Sequence, residues 1–220
     1  MTPWLLIPVK AFDAGKSRLR AVLADDARRA LNEFFLRRML ATARQFPGPS
    51  RTAVISECDR VLRIAAACGV QTIRQTSGPG LNRAAREGMA DVRRRGARDV
   101  LLIACDLPTL CPCDLRELAD RARCGSGIVI CPDRHRTGTN AILLPRDARL
   151  TFRFGKGSFL GHCNEAMRAG FPPIVHFNAR VAFDVDNPQD LVLWPGARGV
   201  LAGATFSAFR EAGGPCRRSL

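Results

Sequence analysis

DVLLIACDLPTL, residues 99–110, carries the strongest strand signal in the chain: Asp99 to Cys105 is apolar on both faces, as a central parallel strand is, and the run stops at Asp106. A strand buried on both faces needs helices above and below it, so its flanks decide the fold. Upstream, Trp4 to Val9 is a second apolar run, followed by the loop KAFDAGKSRL and an amphipathic helix that starts near Asp25 behind acidic residues. Thr52 to Ser56 (TAVIS) reads as a strand, Asp59 to Cys68 as a helix stopped by Gly69, and Val70 to Arg74 as another strand. The loop TSGPG then leads to Asn82, read as the N-cap of a helix running to about Arg95. Downstream come a helix from Asp114 to Arg123, strands at 127–131 and 140–144, and a helix from Ser158 to Ala169. Ile174 to Phe177 and Arg180 to Phe183 read as a late strand pair, and Asp190 to Trp194 as a short helix. Strands alternating with helices predict an α/β fold, a mostly parallel, doubly wound central sheet flanked by helices, with ligands at the carboxyl ends of its strands.

The 220 residues, 46% of them apolar, suit one unit, taken as residues 1–195, followed by a loosely ordered tail at 196–220 rich in Gly and Ala. No run approaches the roughly 18 apolar residues of a membrane span, and no basic segment precedes the short apolar start, so the chain reads as soluble and cytoplasmic. The nine cysteines are odd in number and mostly sit in apolar segments, which favours reduced thiols packed as small apolar groups. Cys111-Pro-Cys113 lacks the spacing of a zinc knuckle.

A net charge of +14 favours polyanionic partners, nucleic acid included. Against a nucleic-acid-binding protein, the basic residues form no single stripe, and tyrosine, a common stacking ring, is absent. Only three of the 34 cationic residues are lysine, and Lys10, Lys16 and Lys156 all stand in glycine-bearing loops where a compact ammonium suits an anionic ligand.

Asp106 is placed at the carboxyl edge of the sheet, and Phe183-Asp184-Val185-Asp186, if extended, turns two more carboxylates the same way. Three such acids, with room for phosphate oxygens and water, suit magnesium, although an Asp in such a loop also serves as a helix cap or turn former. Lys10, Lys16, Ser17 and Arg18, after the first strand, offer cations and backbone amides to a triphosphate. Gly15-Lys16-Ser17 copies the end of a Walker A loop, but the glycine required five residues earlier is Lys10. Thr137-Gly138-Thr139-Asn140 opens a strand and Gly155-Lys156-Gly157-Ser158 a helix, together a site for a phosphate or carboxylate. His162 lies one turn beyond Ser158, either as a structural histidine or facing the same pocket.

Six ordered blocks, IPVKAFDAGKSRL, GLNRA, LLIACDLPTL, GTNAILL, FGKGSF and FDVDNPQDL, resemble those of the 2-phospho-L-lactate guanylyltransferases from Ile7 to Leu191. That resemblance implies a single-domain, Rossmann-like nucleotidyltransferase of the nucleotide-diphospho-sugar transferase type, acting in coenzyme F(420) biosynthesis with GTP as donor. It implies a small phosphorylated acid as acceptor: 2-phospho-L-lactate, phosphoenolpyruvate or 3-phospho-D-glycerate. By the same resemblance, Thr139, Gly155 and Ser158 hold the acceptor and Asp106, Asp184 and Asp186 bind Mg2+; with the first loop read as a triphosphate cradle, Lys10, Lys16 and Asp106 are expected to be catalytic, and Lys10, Lys16, Ser17, Arg18 and Asn82 to meet the nucleotide. A partner transferase that consumes the labile product is also implied, and a homodimer stays open. Acceptors of the sugar-phosphate or molybdenum-cofactor type are the competing enzymatic reading.

Overall fold

A computed structural model describes residues 2–123 and 127–201. The strands are β1 (Trp4–Pro8), β2 (Thr52–Ser56), β3 (Gln71–Arg74), β4 (Val100–Ile103), β5 (Ile128–Pro132), β6 (Thr139–Leu144) and β7 (Pro173–Val175). The helices are α1 (Asp25–Gln45), α2 (Asp59–Ala67), α3 (Leu81–Arg94), α4 (Pro112–Arg123), α5 (Ser158–Arg168), α6 (Ala179–Ala182), α7 (Pro188–Leu193) and α8 (Ala197–Leu201). All seven strands join one sheet in the order β3-β2-β1-β4-β6-β5-β7. β1 pairs in parallel with β2 and β4, and β2 with β3. β6 runs antiparallel between β4 and β5, and β7 closes the edge in parallel with β5.

Period-two alternation builds the three layers. Leu5, Ile7, Leu101, Ile103, Val129 and Leu143 point to one face, where they meet Leu36, Met39 and Leu40 of α1, Val61 of α2 and Leu115 and Leu118 of α4. Leu6, Val100 and Leu102 point the other way, against Ala84, Ala85 and Val92 of α3. Ile128, Ile130, Ile142 and Leu144 continue that second face toward Ala166 of α5. Helix α3 lies close to the sheet at Gly88: a Cβ there would stand 2.9 Å from Leu6 and 3.2 Å from Ile55.

Several sequence expectations change. Arg180 to Phe183 is not a strand, since Ala179–Ala182 forms α6, and only Pro173–Val175 of the expected pair joins the sheet. The side chain of Asn178 accepts from the backbone N–H groups of Arg180 and Val181, and this cap starts a helix where Val181 and Phe183 alternate like a strand. Asn82 is not an N-cap: the helix begins one residue earlier, after Gly80 at φ 125°. Cys111 and Cys113 are not free thiols but a disulfide, because Pro112 opens α4 with a turn that leaves their Cα atoms 5.4 Å apart. Cys58, Cys68, Cys105, Cys131 and Cys163 are free. The expected tail at 196–220 begins as α8, which packs on α1 and buries Ala197 beside Trp194 and Phe34; residues 202–220 lie outside the described residues. Among the described residues, no helix is long and apolar enough to cross a membrane.

Candidate active site

Strands β1 and β4 are neighbours at the point where the strand order reverses, and the loops after them open a cavity of about 760 Å³. Lys10, Lys16, Ser17 and Arg18 line it from the first loop, Asp106 from the end of β4, Asn82 from α3, Gly155, Lys156 and Ser158 from the α5 entrance, and Asp184 and Asp186 from the segment before α7. Because β6 runs against its neighbours, its amino end reaches this rim and brings Thr139 and Asn140 to the same space. All the residues singled out in the sequence for metal, nucleotide or acceptor therefore share one cavity.

The charged centre is organised by Lys16. Its backbone sits in the left-handed region, at φ 56° and ψ 40°, which is uncommon for a side chain-bearing residue. The conformation turns the ammonium inward, where it bonds the Asp106 carboxylate and, at 2.9 Å, Asp186 Oδ1. Burial alone lowers the Lys16 pKa, but the charges of Asp106 and Asp186 and their hydrogen bonds outweigh it and hold the ammonium well above the usual lysine range. Two α1 residues clamp the loop that carries it: buried Arg28 donates to Gly15 O at 2.9 Å, and Asn32 Nδ2 donates to Phe12 O at 2.7 Å.

Among the described residues, no cation is bonded to Asp184. Burial, then the nearby charges of Asp106 and Asp186, push its carboxyl up to about 7, against a 3.4 Å hydrogen bond from Asn140. For Asp186, burial acts upward, but Lys16, Arg18 and Lys10 prevail and lower it. The turn after Asp186 is fixed by Asp190, whose Oδ2 accepts from the backbone N–H of Asp186 at 2.6 Å and of Asn187 at 2.8 Å. Asn187 and Asp190 complete a capping box on α7, and Arg134 binds the other Asp190 oxygen. Val185, fully buried between the two exposed-side carboxylates, anchors the extended segment, as alternation predicts.

At the opposite end glycine backbone and hydroxyl groups form the wall, with Lys156 between the two glycines. Gly155 and Gly157 take positive φ values of 131° and 73°, with open space where a Cβ would stand, and so bare the loop backbone to the cavity. The buried hydroxyls of Thr139 and Ser158 lie 3.4 Å apart, and His162 Nδ1 is 2.9 Å from Thr139 Oγ1. Asn82 is committed to the loop: its Nδ2 donates to Phe154 O at 3.1 Å, and its Oδ1 accepts from Phe154 N at 2.7 Å. Asn82, expected to meet the nucleotide, lines the cavity while its amide clamps the segment that carries Gly155 and Lys156. Cys105 lines the cavity as a thiol that burial, helped by the Asp106 charge, pushes far above its usual range, so it is not a nucleophile.

Asp106, Asp184 and Asp186 line the same cavity as hard oxygen donors, but their oxygens do not all lie within 4.8 Å of one another, and the Lys16 ammonium stands between Asp106 and Asp186 as a monovalent counterion where a divalent cation would have to draw them together. Among the described residues, the one trio of metal-type ligand atoms within 4.8 Å of one another is Cys111, Cys113 and Asp114. Its sulfurs are joined to each other and Asp114 is held by Arg180, so that trio is not a metal site. Arg28, Asn32 and Asp190 were not singled out in the sequence as site residues; each is a polar residue in an otherwise ordinary segment, and only N-P-x-D at 187–190 carried a local signal, that of a helix start.

A family model described as "Guanylyl transferase CofC like" matches residues 4–194. A phosphoenolpyruvate guanylyltransferase of Rubrobacter xylanophilus is 39% identical over 91% of this chain and 97% of its own length. A 3-phospho-D-glycerate guanylyltransferase of Phenylobacterium zucineum is 32% identical over 85% of this chain and 87% of its own. In fold, the chain resembles a protein of Desulfovibrio desulfuricans G20 described as a nucleotide-diphospho-sugar transferase, with a TM-score of 0.70 at 21% identity over 94% and 89% of the two chains.

Proposed function

The chain belongs to the CofC-like guanylyl transferase family, and from that premise we propose that it transfers GMP from GTP to the phosphate of a small phosphorylated carboxylic acid, with release of pyrophosphate. The observation that carries this reading is one cavity at the switch point, with cations and carboxylates at one end and a corner of glycine backbone, hydroxyls and Lys156 at the other. Phosphoenolpyruvate, 3-phospho-D-glycerate and 2-phospho-L-lactate share the two groups that such a cavity accommodates, a phosphate to react and a carboxylate to hold.

In this reading an acceptor phosphate oxygen attacks the α-phosphorus of GTP in line. The new P–O bond forms as the bond to the β-phosphate bridge breaks, and the electron pair leaves with pyrophosphate. The attacking oxygen is already deprotonated near neutral pH, so no general base is required. Lys10, Lys16, Ser17 and Arg18 hold the triphosphate and offset charge on the departing pyrophosphate. Thr139, Gly155 and Ser158 hold the acid, and Asn82 keeps their loop in place through Phe154. Magnesium, held by Asp106, Asp184 and Asp186, would supply Lewis-acid polarisation of the reacting phosphates. Both reactants are anions, so positioning and neutralisation account for most of the rate. The product anhydride is reactive, which suits its consumption by a partner transferase.

Incubation with GTP, Mg2+ and each of the three acids, followed by mass spectrometry, should yield the guanosine diphosphate adduct of at least one acid with stoichiometric pyrophosphate. Pyrophosphate release with a sugar phosphate or molybdopterin, and with none of the acids, would overturn the acceptor assignment.

A further inference from the structure

His162 is fully buried on α5, one turn beyond Ser158, and both of its ring nitrogens are engaged. Nε2 faces the backbone N–H of Arg153 at 2.9 Å. An amide N–H only donates, so Nε2 must accept, and in a neutral imidazole the proton then resides on Nδ1. Nδ1 lies 2.9 Å from Thr139 Oγ1, which makes this contact an N–H donating to the hydroxyl oxygen. Protonation of both nitrogens would set an N–H against the Arg153 N–H. Burial opposes it as well, pushing the imidazole down to about 4 in spite of the nearby Glu165 charge. The Phe154 ring packs edge-on to the imidazole with centroids 4.7 Å apart, so the ring plane is held, and Phe154 is itself clamped by Asn82.

A hydroxyl has one proton to give and two lone pairs to offer. His162 fills one lone pair of Thr139 Oγ1, while Ser158 Oγ, at 3.4 Å, is a distant partner for the rest. The Thr139 proton is left to point into the cavity that Thr139 lines. We infer that His162 is a positioning residue for the acceptor: by donating to Thr139 it fixes that hydroxyl as a donor toward the cavity, and so presents a hydrogen-bond donor to an oxyanion of the acid. The inference rests on the proposed placement of the acid at Thr139, and it assigns the polarity of that contact to a side chain that does not touch the acid.

The test separates the two nitrogens. His162→Asn keeps a donor near the Nδ1 position, whereas His162→Gln keeps an acceptor near Nε2 for the Arg153 N–H and loses the donor. Steady-state kinetics with the acceptor found for the wild type should show the acceptor KM raised about tenfold in His162→Gln and largely restored in His162→Asn, with the GTP KM changed by less than about twofold in both. In a Thr139→Val background the His162→Gln change should add little, because the hydroxyl it acts through is gone. An unchanged acceptor KM in folded His162→Gln, or the same rise with and without the Thr139 hydroxyl, overturns the inference while leaving the acceptor placement standing. Thr139→Val with an unchanged acceptor KM overturns the placement itself, and the inference falls with it. If His162→Gln fails to fold, acceptor titration of His162→Asn and Thr139→Val by calorimetry decides: near-wild-type affinity in the first and loss in the second support the inference, and equal loss in both overturns it.

Discussion

At one end of the cavity Lys16, Asp106, Asp184 and Asp186 hold one another by charge; at the other, Thr139, Ser158 and His162 are joined by neutral hydrogen bonds. The charged end is built to exchange partners. One Lys16 ammonium is shared between two carboxylates and, among the described residues, Asp184 has no cation partner, so on the proposed reading an arriving cation or phosphate exchanges ion pairs there. The neutral end is built to stay fixed: its imidazole cannot readily charge, its tautomer is set by a backbone amide, and the loop beside it is tied down by Asn82. On the proposed reading, catalytic power and discrimination reside in different materials within one pocket, and substitutions should sort accordingly.

The largest effect is expected at the charged end. Asp106→Asn should lower GMP transfer by about 10³-fold or more while circular dichroism stays native, since the residue carries both the Lys16 ion pair and a proposed metal ligand. Pyrophosphate release near the wild-type rate would show that charge at this position is dispensable.

The neutral end should reveal itself in acid. His162 ionises near 6.5 in the unfolded chain and about 4 when folded, so below 6.5 the unfolded chain takes up a proton that the folded one refuses. Its contribution therefore erodes stability as pH falls from 6.5 toward 4 and has no effect above that window; the full deficit is on the order of 3 kcal/mol. Urea unfolding of wild type and His162→Asn at pH 7 and pH 4.5 measures it. The variant should lose distinctly less stability between the two, and parallel losses would contradict a neutral buried imidazole.

A smaller change should come from the clamp between the two ends. Asn82→Ala removes both hydrogen bonds to Phe154 and should cost about 1–2 kcal/mol of stability, with faster proteolysis at Arg153 and Lys156 and a raised acceptor KM. A selective rise in GTP KM instead would return Asn82 to the nucleotide.

The parallel half of the sheet was legible because its strands are long apolar runs closed by loops with special residues: Trp4 to Val9, TAVIS and DVLLIAC each announce themselves. The ligand-facing residues were legible for the same reason, as short polar signals at strand ends. What the sequence hid were pairings across distance. Nothing local distinguishes Arg28 or Asn32 from other polar residues on α1, and only the folded loop shows that they hold Gly15 and Phe12. Asn82 looked like a cap because caps and clamps use the same side chain. Arg180 to Phe183 alternated like a strand, and a single residue upstream, Asn178, made it a helix. His162 was visible as a neighbour of Ser158, but its tautomer depends on Arg153, whose backbone approaches only after folding.

The reversal of β6 separates the histories open to the two ends. Parallel strands with long crossovers carry the loops proposed to hold the nucleotide, and altering one strand disturbs the register of its neighbours. The β5–β6 hairpin arrives from the other direction on a short turn, pinned by the Asp133 carboxylate on the amides of Thr137 and Gly138, and ends at Thr139. On the proposed reading, lengthening or rewording that turn reshapes the acceptor corner and leaves the loops after β1 and β4 where they are.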